Sequence, residues 1–247
     1  MDQPLCALVF DVDGTLADTE RFHLRAFNEA FAGEGLDWHW DEALYTKLLE
    51  TSGGKERMLA YWRQVRGGIV DIDGGAVREV IERVHLAKTA AYEAMVSSGL
   101  VELRPGVLEL MEEARGRGLR LAIATTTSPV NVAALLRRAL GAHWRLDFPV
   151  VCDGSTAPRK KPDPQVYRQA LQELGLTARA CLAFEDSANG LRAARAAGMD
   201  TVITPTAFTR HHDFAAALRV LPSLEGVTVD RLAGWRSRQL ASAGALS

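Results

Sequence analysis

The chain has 247 residues, 47% of them hydrophobic, and a net charge of −2. That length suits one large domain or a core with a smaller insertion, and the composition is that of an ordinary soluble globular protein. Balanced charge with no basic stripe argues against nucleic acid as a partner, and no apolar run reaches membrane-spanning length. The N-terminus lacks a basic region followed by an apolar signal core. The expectation is a cytoplasmic monomer with no membrane partner. Cys6, Cys152 and Cys181 are odd in number, widely spaced and set in or beside apolar runs, which predicts buried thiols.

In chain order, the apolar run Leu5–Phe10 reads as a buried parallel strand. It ends in Asp11 and Asp13, followed by Gly14 and Thr15. Two carboxylates so close repel unless a cation lies between them or one holds a proton, which points to an oxygen-loving divalent metal. A solvated turn explains the same residues as readily when they are taken alone. The pattern then turns helical over Glu20–Phe31, from Trp40 toward Leu49, over Lys55–Gln64 and over Val77–Met95, with Gly67, Gly68, Gly74 and Gly75 framing loops. From Leu103 helices and strands alternate. The helices are Gly106–Arg115, Pro129–Ala139, Pro164–Leu174 and Ser187–Ala197, the last closed by Gly198. The strands are Leu119–Ala124, Phe148–Cys152, Ala180–Phe184 and Thr201–Thr204; the Ala/Ser-rich C-terminus reads as frayed.

Alternation of this kind predicts an α/β fold, a Rossmann-like parallel-sheet core formed by residues 1–16 and 103–247. The inserted residues 17–102 form an all-helical cap over the strand ends, with Arg104-Pro105-Gly106 as the return hinge. Mobile hinges are expected near Ala17 and Leu103, because a cap over a crevice encloses a substrate away from water.

Four strand ends carry related polar groups. Beyond the first lie Asp11 and Asp13; beyond the second, Thr125, Thr126, Thr127 and Ser128 offer hydroxyls and N–H groups at a helix start, which suits a phosphate oxygen. A helix N-cap accounts for one of these four hydroxyls but not for the cluster. The third strand leads to Arg159-Lys160-Lys161-Pro162, and the fourth to Glu185 and Asp186 with Ser187 and Asn189 behind. A carboxylate nucleophile, a neighbouring acid, a metal, a lysine and a hydroxyl together are the parts of phosphoryl transfer.

With those residues in order, the chain resembles the haloacid dehalogenase superfamily of phosphohydrolases. Phe-Asp-Val-Asp-Gly-Thr-Leu at 10–16, the strand ending at Thr125, Lys161-Pro162 and Phe-Glu-Asp-Ser-Ala-Asn-Gly at 184–190 match its four motifs. The resemblance implies Asp11 as nucleophile, forming an aspartyl-phosphate, and Asp13 as acid and then base. Thr125 and Lys161 would hold the phosphoryl group. Mg2+ would be bound by the Asp11 carboxylate, the Asp13 carbonyl and Asp186, with Glu185 beside it. Thr51-Ser52-Gly53-Gly54-Lys55-Glu56-Arg57 and Thr209-Arg210-His211 are similar to the CbbY-type branch, phosphatases of xylulose 1,5-bisphosphate.

That branch implies a small sugar-phosphate substrate whose uncleaved phosphate is gripped by Lys55 and Arg57, with Gly53 and Gly54 permitting close backbone approach. An exposed helix face is the plainer account of the two basic residues. Asp18 stands where CbbY-type proteins commonly carry Glu, and would bind a sugar hydroxyl; Thr126, Thr127, Ser128 and Asn189 complete the expected substrate contacts. His23 and Asn28 can face the cleft, although a helical histidine is more often a satisfied core or surface residue. His211 and His212 read as helix-start residues, and Trp38, Trp40 and Trp62 as packing of the cap. The related dehalogenases and phosphonoacetaldehyde hydrolases lack an acid at the Asp13 position. A β-phosphoglucomutase-type mutase shares all four motifs and stays open as the alternative, followed by a non-catalytic sugar-phosphate-binding protein.

Overall fold

The computed structural model describes residues 3–65 and 75–244. Six parallel strands form one sheet in the order β3-β2-β1-β4-β5-β6. They are β1 (Ala7–Phe10), β2 (Arg120–Ala124), β3 (Val150–Cys152), β4 (Cys181–Glu185), β5 (Asp200–Ile203) and β6 (Arg219–Val220). Between β1 and β2 run α1 (Glu20–Gly33), α2 (Glu42–Leu48), α3 (Gly54–Val65), α4 (Gly75–Ser97) and α5 (Val107–Gly116). The remaining helices are α6 (Pro129–Leu140), α7 (Gln165–Leu174), α8 (Ala188–Ala196) and α9 (Val229–Gly244). No helix among the described residues is long and apolar enough to cross a membrane.

Period-two alternation sorts β1 onto both faces of the sheet. Leu8 and Phe10 enter one apolar cluster with Val107 and Leu110 of α5, Leu135 of α6 and Leu232 of α9. Ala7 and Val9 enter the other, with Val166, Tyr167 and Ala170 of α7 and Ala193 and Ala194 of α8. Both faces are therefore covered, as a parallel sheet requires. Phe10 stacks on Phe184 of the neighbouring strand at 4.6 Å, and the register pairs the two residues directly. Every fully buried side chain of this size contributes roughly 1.5–3 kcal/mol.

The first four helices carry a third cluster. Phe27 and Phe31 of α1 pack on Trp38, Trp40 and Tyr45, with Met58 of α3 and Ile81 and Val84 of α4. Trp38 and Trp40 are buried there and Trp62 packs against them, so all three serve packing. Phe208, from the loop beyond β5, joins the same cluster and meets Tyr45 edge-on at 6.0 Å. The outgoing and returning chain segments lie side by side, Ala17 bridging Leu103 and the Arg104 N–H donating to Leu16 O at 2.8 Å. The expected loops at Gly67, Gly68 and Gly74 fall outside the described residues.

The C-terminal segment forms α9 as far as Gly244, with Leu232 and Trp235 buried against the core, and residues 245–247 of the Ala/Ser-rich tail fall outside the described residues. One expectation changes. No helix starts at His211 and His212, which sit in a turn, with His212 Nδ1 accepting from Ala188 N–H at 3.2 Å.

Candidate active site

In the strand order, the chain leaves β1 toward β2 on one side and β4 toward β5 on the other, so the crevice of an open α/β sheet falls between β1 and β4. Asp11 follows β1, Glu185 ends β4 and Asp186 follows it, placing three carboxylates beside one another. Their oxygens lie within 4.8 Å of each other, and all three residues are buried. Lys161 answers them from the loop after β3. Its Nζ donates to Asp11 Oδ1 at 2.7 Å and to Glu185 Oε1 at 2.5 Å. Tyr167 OH donates to the same Glu185 oxygen at 2.6 Å.

One ammonium does not offset three buried carboxylates. Burial, with repulsion from Glu185 and Asp13 and despite Lys161, pushes Asp11 up to about 7. Burial and then Glu185 and Asp11 hold Asp186 well above the usual carboxylate range. Burial alone would lower Lys161, but Asp11 and Glu185 keep it above its ordinary value. The Asp186 carboxylate accepts no hydrogen bond among the described residues, whereas Glu185 already holds Lys161, Tyr167 and the Ser187 hydroxyl. Hard oxygen donors with excess negative charge fit a divalent cation such as Mg2+, with Asp11 and Asp186 freer to ligate than Glu185. Gly14 makes room for this: a Cβ there would lie 2.3 Å from Asp186 Oδ2.

Asp13 faces another way. Its Oδ1 accepts from the Thr19 hydroxyl at 2.7 Å and lies 2.9 Å from His23 Nε2. Lys88 Nζ is 2.8 Å from the opposite ring nitrogen of His23. With Lys88 as an ammonium, Nδ1 accepts and the Nε2–H donates to Asp13. Burial works against the ionised form of Asp13, but His23, Thr19 and Lys88 overcome it and hold the carboxyl well below its usual range. Burial lowers Lys88 to about 8, although the nearby Asp13 supports its charge.

Asp11, Asp13, Lys161, Glu185 and Asp186 line a cavity of about 120 Å³. The hydroxyl loop closes one side of it with Thr125, Thr126, Thr127 and Ser128. Ser128 is also the N-cap of α6, accepting from Asn131 N–H at 3.3 Å. From the segment between β1 and β2 come Gly53, Gly54 and Arg57. Arg57 is buried, donating to Leu48 O at 3.2 Å and to Tyr45 OH at 3.1 Å. Asn189 lines the cavity and also ties the layers together, donating from α8 to Glu50 O of the cap at 2.8 Å.

Three expected residues lie elsewhere. Lys55 does not reach the inner cavity; its Nζ sits 2.5–2.6 Å from both oxygens of Glu82, since residues two apart on a helix point apart. Asp18 is exposed and outside the cavity. Asn28 is structural, its amide donating to Trp40 O and accepting from Trp40 N–H, both at 2.8 Å. His23 faces the cleft. Residues not foreseen include Glu20, Lys88 and His85, which also line the cavity, as does Thr209 of the quoted Thr209-Arg210-His211 stretch. Lys88 carried a signal: it is the charged member of an apolar stripe formed by Val77, Ile81, Val84, Tyr92 and Met95 on α4. Glu20 carried none, since an acid in the first turn of a helix reads as an ordinary dipole partner.

The chain is similar to known proteins. The haloacid dehalogenase-like hydrolase family model matches residues 7–198. CbbY encoded on a plasmid of Cupriavidus necator is 56% identical over 218 residues, 88% of this chain and 85% of that protein. CbbY of Rhodobacter capsulatus is 47% identical, covering 92% of this chain and 97% of its own. A crystal structure of a mutant CbbY from Rhodobacter sphaeroides in complex with xylulose-(1,5)bisphosphate superposes with a TM-score of 0.84 at 44% identity, over 92% of this chain and 98% of that one. β-Phosphoglucomutase from Clostridium difficile, at 18% identity and a TM-score of 0.77 over 96% of this chain and 99% of that one, shares the fold. The chain belongs to the haloacid dehalogenase-like hydrolases, as a phosphatase related to CbbY.

Proposed function

We propose that this protein is a Mg2+-dependent phosphatase of a small sugar bisphosphate, xylulose 1,5-bisphosphate, working through an aspartyl-phosphate on Asp11. The observation that carries the reading is the Asp11 carboxylate bonded to Lys161 at the floor of a cap-covered cavity that Asp13, held by His23, also lines. The related CbbY in complex with that sugar bisphosphate supports the choice of substrate. The division into a core of residues 1–16 and 103–247 and a cap of residues 17–102 is part of the same reading.

Asp11 attacks phosphorus, and the bond from phosphorus to the sugar oxygen breaks. Thr125 and Lys161 hold the phosphoryl oxygens as charge redistributes. Asp13 delivers a proton to the departing oxygen and then takes one from the water that attacks the acyl phosphate, regenerating Asp11 and releasing phosphate. In the arrangement described, Asp13 is held as a carboxylate, the base form. Loosening its contact with His23 raises its affinity for the proton that the first step needs. Asp11, the Asp13 carbonyl and Asp186 would hold Mg2+, which would supply neutralising charge to the clustered carboxylates and the phosphoryl group. Arg57, buried on the cap side, takes the uncleaved phosphate, with Thr127 and Ser128 opposite; Lys55 is left to its ion pair with Glu82.

Phosphate release from xylulose 1,5-bisphosphate, ribulose 1,5-bisphosphate and β-glucose 1-phosphate, each with Mg2+ and with chelator, tests the reading. A Mg2+-dependent preference for the xylulose compound is expected. Conversion of β-glucose 1-phosphate to glucose 6-phosphate with little free phosphate would replace the reading with the mutase.

A further inference from the structure

A second cavity, of about 390 Å³, opens on the same cleft. It shares Gly53, Gly54, His85, Thr126 and Ser128 with the inner cavity, so the two are continuous. Its core wall carries Lys160, the residue before Lys161. Lys160 is half-buried, and its Nζ donates to Gly154 O at 2.6 Å. The fit is close, since a Cβ on Gly154 would stand 3.0 Å from that Nζ and 2.6 Å from Thr126 O. Burial lowers the Lys160 pKa, and Glu56 and Asp153 support its charge from a distance. No carboxylate lies within ion-pair distance of it among the described residues. Lys55 on the opposite wall is the contrast, neutralised by Glu82 at 2.5 Å. His85, held down to about 4 by burial and neighbouring lysines, adds no charge near neutral pH.

The mouth thus offers one ammonium with no carboxylate within ion-pair distance, the hydroxyls of Thr126, Ser128 and Ser155 and the main chain of three glycines, with the Glu56 carboxylate also on its lining, at the approach to a site that cleaves phosphate esters. We propose that Lys160 is a substrate-selecting residue: its ammonium engages the uncleaved phosphate of a doubly phosphorylated sugar at the mouth, before that phosphate seats against Arg57. The proposal rests on the sugar-bisphosphate reading above. Lys160 touches no group that reacts, so it acts on capture, and an unpaired cation at a cleft mouth raises association with anions in a salt-dependent way.

The test is steady-state kinetics of Lys160→Gln, Lys160→Arg and Arg159→Gln on xylulose 1,5-bisphosphate and on the single phosphate of p-nitrophenyl phosphate, at low and high salt. Arg159→Gln removes the same charge next door, from a residue outside both cavities. Lys160→Gln is expected to lower the ratio of kcat/KM for the bisphosphate to that for the monophosphate about ten-fold, through KM, and to flatten its salt dependence. Lys160→Arg restores most of the ratio, and Arg159→Gln leaves it within about two-fold. Equal losses on both substrates, an unchanged ratio, or the same loss in Arg159→Gln would overturn the proposal. Wild-type turnover of p-nitrophenyl phosphate with none of any bisphosphate would remove the underlying reading instead, and the proposal with it.

Discussion

Asp11 and Asp13 stand two residues apart and are driven in opposite directions. Asp11 is pushed up by burial among other acids, whereas His23, Thr19 and Lys88 outweigh burial at Asp13 and hold it down. His23→Ala removes the strongest of those supports, so the limb that Asp13 sets is expected to move to higher pH by about one unit, read from pH–rate profiles of kcat and kcat/KM. An unmoved limb would deny His23 its hold on Asp13. The metal site makes a stability prediction. A carboxyl whose folded pKa is raised binds its proton more tightly in the folded state, so its contribution is full below the unfolded value of 3.8 and is lost as pH rises through about 7. Asp13, whose folded value is depressed, contributes above 3.8 and loses that only on further acidification, leaving its part constant from pH 5 to 8. The metal-free protein therefore loses stability at this site between pH 5 and 8, and Mg2+ is expected to raise Tm more at pH 8 than at pH 5. Asp186→Asn should abolish that difference, by differential scanning fluorimetry.

Among the elements, the return of the chain from α4 to α5 is held by a particular backbone geometry. Gly106, the residue before α5, has φ +82°, and a Cβ there would lie 2.1–2.2 Å from the backbone of Leu224 and Glu225. Gly106→Ala is expected to destabilise by at least about 1–3 kcal/mol, measured by urea denaturation, because both the left-handed conformation and the packed backbone oppose it. Arg104 secures the same junction, donating to Thr204 O at 2.6 Å and Pro205 O at 3.1 Å, and also to Gly14 O of the catalytic loop. Most elements were legible because their apolar residues recur at helical or strand spacing, as at Phe27 and Phe31 in α1 or Leu182 and Phe184 in β4. The two-residue strand Arg219–Val220 was not, since its exposed pair offers no alternation to read. The last helix was masked by its alanines and serines, although Leu232 and Trp235 are three apart on one face.

For the whole molecule, parallel strands and an inserted helical block were readable from the alternation of patterns, but the strand order was not. The order places β1 and β4 side by side, and so brings Asp11 to Glu185 and Asp186 from a separation in sequence of more than 170 residues. The core half of the site was legible because each motif follows an apolar strand, and strand ends converge on the crevice of such a sheet. The cap half was less so. Whether Lys55 or Arg57 faces inward depends on the rotation of α3, which Met58 and the buried Arg57 set by packing on Tyr45 and its neighbours. Lys88 and His23 reach Asp13 only because α1 and α4 lie against each other beneath the cap cluster.

The central claim is that Asp11 is the nucleophile of a sugar bisphosphate phosphatase, and paired binding and turnover on Asp11→Asn tests it most directly. With Mg2+ present, the wild type should release phosphate from xylulose 1,5-bisphosphate. The variant should bind that compound by calorimetry and release none over the same interval. Phosphate release by the variant at a rate within ten-fold of the wild type would contradict the account, because an asparagine at this position cannot form the acyl phosphate on which the reaction runs.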